Sequence, residues 1–302
     1  MPNLLVVSSP AMLPYCMLRR TLLQLAGLAG MAQSKPPFKL SVRVEALFPQ
    51  LNLPQQMEKV AEAGYQGFEF GNWRAADARQ ITSLKNKLGL ECACIVGNRG
   101  VNPKGAGLCD PAERDGFLTE LRASADAARR FETTRLVVLS GNRVPGMPRE
   151  KQHASIVEGL KRAQDMVAPH GIKLIIEVVN TLAPVEPLHP QENHLEYYLD
   201  HAREAFQIID EVSSPYVKVL FDIYHVQIME GNLIDTIRRN ITRIGHIHVG
   251  DVPGRHEPGT GEINYVNVFK AIQEVGFRDF VAMEYVPAKD AMTTLADVRR
   301  MV

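Results

Sequence analysis

Residues 245–265 read GHIHVGDVPGRHEPGTGEINY and set His246, His248, Asp251, Arg255, His256 and Glu262 among Gly250, Gly254, Gly259 and Gly261. Imidazoles carry protons and ligate metals, carboxylates do both, and a guanidinium fork matches carboxylates or phosphates. Three other apolar runs end on groups of the same kinds. KLIIEVVN carries Glu177, KVLFDIYH carries Asp222 with His225 three residues on, and FVAMEYVP carries Glu284. His246 and His248 are two positions apart, so a strand would turn both to one face.

Carboxylates brought together repel, and burying them unpaired costs several kcal/mol each. Either an internal Arg or Lys or a bound cation must compensate. The runs that hold Glu177, Asp222, His248 and Glu284 carry no Arg or Lys at their carboxyl ends. A divalent cation held by these four residues is therefore expected. Three carboxylates and one imidazole suit Mn²⁺ or Mg²⁺, and Co²⁺ or Zn²⁺ also fit such a set. His246 should lie deeper, as a packing or supporting residue. The glycines after Asp251 would let backbone approach a ligand closely. Arg255 is expected to clamp an anionic substrate group, with His256 and Glu262 as the other side chains this loop can bring. His225 is placed to bond a substrate oxygen, and Glu45 and Glu69 are candidates for the opposite wall.

The elements that position these groups follow from hydrophobic patterning. Short apolar runs occur at 40–44, 67–70, 90–96, 135–139, 172–179, 217–223, 244–249 and 280–286. Between them lie amphipathic stretches at 55–63, 76–88, 111–131, 149–168, 194–212, 233–240, 264–275 and 291–301, several closed by Gly as helices commonly are. Eight repeats of strand then helix predict an α/β fold of the (β/α)₈ type, a TIM barrel, as one domain over residues 38–302. A doubly wound open sheet would show a glycine-rich turn after its first strand, and SVRVEALFPQ has none. In such a barrel the carboxyl ends of the strands carry the chemistry. Strands five to eight then deliver Glu177, Asp222, His248 and Glu284 to one rim.

Bulk properties narrow the class. Lys plus Arg and Asp plus Glu are equal at 34 each, which gives no reason to expect nucleic acid as a partner. Cys92 and Cys94 in LECACIVG should share one strand face as small buried residues, and their spacing matches no zinc pattern. Residues 1–37 are set apart as a twin-arginine export signal and linker. Arg19-Arg20 precedes a short apolar run and small residues, Met17 offers an alternative start, and the run is too short to span a bilayer. The expected location is thus periplasmic, with a cytoplasmic protein as the alternative; no stable membrane anchor is expected. A small-molecule partner is expected, and a homo-oligomer is compatible with the sequence. Trp73, after strand two, would wall the pocket or shield a subunit contact.

HVGDVPGRHEPGTGEINY, FDIYHVQIMEGN, IIEVVNT and AMEYVP together resemble the hydroxypyruvate isomerase branch of the xylose-isomerase-like TIM barrels. The resemblance covers about residues 38–302 and is most specific in the second half. It implies a metal held at Glu177, Asp222, His248 and Glu284, with Glu177 and Glu284 doubling as acid/base groups. It implies isomerisation through an enediolate, with hydroxypyruvate giving tartronate semialdehyde. Two departures bear on substrate. That branch usually has Gln where this chain has His248, whereas related ketose epimerases have His. The segment after Glu177 is long and adds Glu186, His189 and His194. Ketose 3-epimerisation through the same enediolate is the alternative chemistry. A non-catalytic sugar-binding barrel and an endonuclease-IV-like barrel are the alternatives of other classes. The intact ligand set argues against the first and the neutral charge against the second.

Overall fold

The computed structural model of the protein describes residues 36–99, 107–182, 188 and 194–302. Cys16, Met17, Arg19, Arg20, Glu186 and His189, and with them the expected export signal, lie outside the described residues.

Eight parallel strands close into one barrel in chain order. They are β1 Lys39–Arg43, β2 Gly67–Phe70, β3 Glu91–Val96, β4 Arg135–Val138, β5 Lys173–Glu177, β6 Val217–Asp222, β7 Ile244–Val249 and β8 Phe280–Met283. The helices are α1 Val44–Leu47, α2 Leu53–Glu62, α3 Ala78–Leu88, α4 Arg114–Phe131, α5 Arg149–Val167, α6 Ala202–Val212, α7 Ile223–Met229, α8 Leu233–Asn240, α9 Tyr265–Glu274 and α10 Ala291–Met301. Among the described residues, no helix is long and apolar enough to cross a membrane.

Strand alternation separates two layers. Leu174 and Ile176 of β5 and Val219 and Phe221 of β6 join the large apolar shell that extends to the helices. Cys94, Val137, Ile175 and Leu220 form a separate small cluster, the filling of the barrel interior. Glu177 and Asp222 continue the interior rows of β5 and β6, two residues beyond Ile175 and Leu220.

Two register shifts set which side chains enter. Phe68 pairs with Cys92 but Glu69 pairs with Cys94, so Ala93 is an extra residue in β3. This bulge is why Cys92 and Cys94 do not share a face as simple alternation predicts: Cys92 packs in the outer shell and Cys94 in the barrel. Val219 pairs with Ile244 and Leu220 with His246, which leaves Gly245 as the extra residue of β7. A Cβ on Gly245 would lie 2.7 Å from Lys218 Cβ, so only glycine fits this approach.

Most helices fall where the pattern puts them, with one exception. Residues 194–212 do not form one helix; α6 starts only at Ala202. Tyr197, Tyr198 and Leu199 are all buried in succession, which no single helix face allows, and Tyr197 bridges to Asn142. The short helices α1 and α7 follow β1 and β6 directly. Asp222 caps α7, its Oδ1 accepting the backbone N–H groups of Tyr224 at 2.8 Å and His225 at 3.3 Å.

The loop after β7 is organised by a buried carboxylate. Asp251 accepts backbone N–H bonds from Val252, Gly259, Gly261 and Ile263 at 2.9 to 3.1 Å. The glycines therefore wrap an internal carboxylate rather than a ligand, which corrects the expectation for this loop. A Cβ on Gly261 would lie 2.0 Å from Val252 O. Removing the acceptor would strand several buried donors, each costing about 1–3 kcal/mol. Asp251→Ala is expected to lower stability by about 3–5 kcal/mol, and Asp251→Asn, which turns N–H against N–H, by nearly as much. Thermal denaturation of the two variants measures this; wild-type Tm in both would remove the role assigned to the carboxylate.

Candidate active site and metal centre

At the carboxyl ends of β5 to β8, one ligand atom each from Glu177, Asp222, His248 and Glu284 lies within 4.8 Å of the others. Nδ1 of His248 is 2.7 Å from Glu284 Oε2, 3.6 Å from Glu177 Oε1 and 3.8 Å from Asp222 Oδ2. It is buried among three carboxylates and yet aligned as a hydrogen bond with none of them. An imidazole nitrogen with this neighbourhood fits a cation shared with the carboxylates.

The expectation that no cation of the chain enters this rim is overturned. Arg255 reaches in from the loop after β7. Its Nη2 donates to Asp222 Oδ2 at 2.7 Å and to Glu284 Oε2 at 2.6 Å, and its guanidinium lies 4.9 Å from the centre of the Tyr224 ring. Arg255 is thus a fixed counter-ion to the carboxylates, not the free clamp the sequence suggested. It does not remove the room for a metal. Arg255 contacts Asp222 and Glu284, and among the described contacts Glu177 has no guanidinium partner. Each carboxylate oxygen accepts twice, so a guanidinium and a metal can share it.

These contacts split the carboxylates electrostatically. Burial pushes Glu284 up, but His248, Arg255 and Arg43 outweigh it and hold the carboxyl well below its ordinary range. Burial raises Asp222 to about 7 and the Glu284 and Glu177 charges add to it, with Arg255 and His248 opposing. For His248, burial disfavours the charged ring, yet Glu284 and Glu69 prevail and lift it well above the ordinary imidazole value. A bound cation would displace that proton.

His225 sits beside the cluster, 2% exposed. Its Nδ1 accepts the backbone N–H of Asn180 at 3.2 Å and faces Asn180 Nδ2 at 2.7 Å. Burial, then Arg255 and His194, keep the ring neutral by pushing it well below its ordinary value. Its Nε2 faces Arg255 Nη1 at 3.3 Å and lies 3.6 Å from Asp222 Oδ2, so each ring nitrogen has a donor beside it. A cavity of about 230 Å³ opens above these groups; Glu177, His225, His248, Arg255 and Glu284 line it, with Arg43 of β1 beside Glu284.

Other expected residues lie elsewhere. His256 turns away, its Nδ1 2.7 Å from Val286 O, and Glu262 is exposed and accepts from Gln227. Neither reaches the cavity, because the wrapping around Asp251 faces them outward. Glu45 accepts the backbone N–H groups of Gly71 and Asn72 and pairs with Arg43. Trp73 is buried and donates to Val96 O. Glu69 lies wholly inside the barrel, against His246 and His248. Sequence reading missed Arg43, whose type and place at the end of β1 were the available signal; its Nε is 4.0 Å from Glu284 Oε1.

Comparison with known proteins agrees with this architecture. The family model for xylose isomerase-like TIM barrels matches residues 57–300. The hydroxypyruvate isomerase of Escherichia coli K12 is 31% identical over 87% of this chain and 98% of its own length. The 2-oxo-tetronate isomerase of Pectobacterium atrosepticum is 26% identical over 82% of this chain and 92% of its own. A crystal structure described as a family 2 AP endonuclease from Brucella melitensis superposes with a TM-score of 0.77 at 26% identity, covering 88% of this chain and 98% of that one. The chain belongs to the xylose isomerase-like TIM barrel family and is an enzyme of the isomerase class.

Proposed function

We propose that this enzyme is a divalent-metal-dependent isomerase of a small hydroxy-oxo acid, of the hydroxypyruvate kind, which moves a carbonyl between adjacent carbons through an enediolate. The observation that carries this reading is the convergence of Glu177, Asp222, His248 and Glu284 on one small cavity, in a chain whose relatives are named as isomerases of oxo acids. Glu177, Asp222, Glu284 and Nδ1 of His248 would hold the metal, Mn²⁺ or Mg²⁺ suiting the mostly oxygen set, and it would supply positive charge against the oxygens of the enediolate. The Brucella name raises a nuclease, but the chain is net neutral, which offers no general attraction for a phosphate backbone.

The chain's own groups divide the remaining work. Glu177 is the carboxylate with the fewest ties and lies nearest the opening, its side chain 13% exposed against 1% for Asp222. It is the base that takes the proton from the carbon next to the carbonyl and returns it to the neighbouring carbon. Glu284, held ionised by His248 and Arg255, is a poor proton acceptor and serves as a fixed negative charge. His225, on the cavity wall with Nε2 against Arg255 Nη1, holds that guanidinium beside the substrate oxygens whose charge grows as the proton leaves. Arg43, which lines the cavity beside Glu284, would provide the positive charge for the substrate carboxylate.

Proton exchange tests the reading. With Mn²⁺ and hydroxypyruvate in D₂O, wild-type protein is expected to incorporate deuterium on carbon, followed by NMR. Chelation should stop it, and Glu177→Gln should slow it by a factor on the order of 10²–10⁴. Exchange that persists unchanged after chelation would exclude the metal role. Exchange of a ketose in place of the oxo acid would move the protein to the epimerases.

His225→Gln is expected to lower kcat about 100-fold with little change in KM, since the ring orients Arg255 where charge develops. A rise in KM at constant kcat would instead make His225 a ground-state binding residue.

A further inference from the structure

Below the rim, a second set of ionisable groups fills the barrel interior. Glu69 comes from β2 and reaches across the interior to β7. Its Oε1 lies 2.9 Å from His248 Nε2 and its Oε2 lies 2.9 Å from His246 Nε2. Cys94 Sγ donates to the same Oε2 at 3.0 Å. Glu69 and His246 are both 0% exposed. The two imidazoles meet edge to face, centroids 5.0 Å apart and planes at 83°. Each oxygen of Glu69 thus faces its own imidazole at ion-pair distance, neither contact being aligned as a hydrogen bond, and Cys94 donates to the oxygen on the His246 side.

We propose that Glu69 is a positioning residue for the metal site: it holds the proton of His248 on Nε2, so that Nδ1 keeps its lone pair turned toward Glu177, Asp222 and Glu284. The inference rests on the metal reading given above. A neutral imidazole has one donor and one acceptor nitrogen, and the group facing one nitrogen decides which is which. A carboxylate charge 2.9 Å from Nε2 favours the proton on that nitrogen and raises the basicity of the nitrogen that faces the rim. His246 cannot replace Glu69 in this role. It sits on the other oxygen, and a neutral ring would offer either a donor or an acceptor. The bulge at Ala93 puts Cys94 beside the carboxylate.

The test is Mn²⁺ binding by calorimetry on metal-stripped protein, with thermal denaturation alongside. Wild type is expected to bind one equivalent. Glu69→Gln keeps the shape but removes the charge. It should still bind one equivalent, about 10- to 100-fold more weakly, while unfolding cooperatively. Glu69→Asp keeps the charge but withdraws it by one methylene; it should weaken binding likewise, and it decides the matter should the Gln variant not fold. Wild-type affinity in a folded variant would overturn the proposal, because a purely structural role would shift Tm and leave the affinity alone. Two equivalents in wild type, one of them lost in Glu69→Gln, would overturn it differently and make Glu69, His246 and His248 ligands of an inner ion. No binding by wild type would remove the metal reading itself, and the inference with it.

Discussion

The buried negative charge at the barrel mouth governs the rest of the structure. Glu177, Asp222 and Glu284 come from successive strand ends and would be driven apart or protonated without compensation. The chain answers in part with Arg255 and His248, both in contact with Glu284 Oε2, and with Arg43 further off. Charges this close in a dry interior are strong in both directions: a well-placed guanidinium stabilises the set, and its loss leaves an uncompensated carboxylate. Glu177, which touches neither arginine among the described contacts, is the carboxylate on which the proposed divalent cation would add most.

Positioning that charge makes demands on distant parts of the fold. Arg255 has φ 53°, in the left-handed region, and its backbone carbonyl accepts from Val286 N beyond β8. Such a conformation persists only where the surroundings over-determine it. Here Asp251 does so by gathering four loop N–H groups, and the Asp251–His256 bridge closes the turn on either side of Arg255. On the other side, the division of Asp222 is equally constrained. Oδ1 caps α7 and so places His225, while Oδ2 faces Arg255. One residue thereby fixes a helix, an imidazole and a guanidinium at once.

Much of this was legible in the sequence because it depends on short-range periodicity. Eight apolar runs at regular spacing imply parallel strands buried on both faces, and polar groups at their ends imply a rim. That logic reaches Glu177, Asp222, His248 and Glu284 directly. It does not reach Arg255, since a loop residue's side chain can turn back into the barrel or out to solvent, and only the geometry around Asp251 decides. His256 and Glu262, from the same loop, turn outward for that reason. Bulges escape it too. One added residue at Ala93 or Gly245 reverses the phase of everything after it, so strict alternation misplaced Cys94.

The interior layer shows why a barrel can hold a site that no linear motif describes. Glu69 lies within β2, yet its partners lie on β7, on the other side of the closed sheet. Closure turns a residue in GFEF, which reads as an ordinary buried strand, into a neighbour of GHIHVG. The rim and the layer beneath it are then joined through a single ring. His248 faces three carboxylates with Nδ1 and a fourth with Nε2. Its tautomer cannot be set at one end without consequence at the other, so the electrostatics of the mouth depend on a residue that never reaches the cavity.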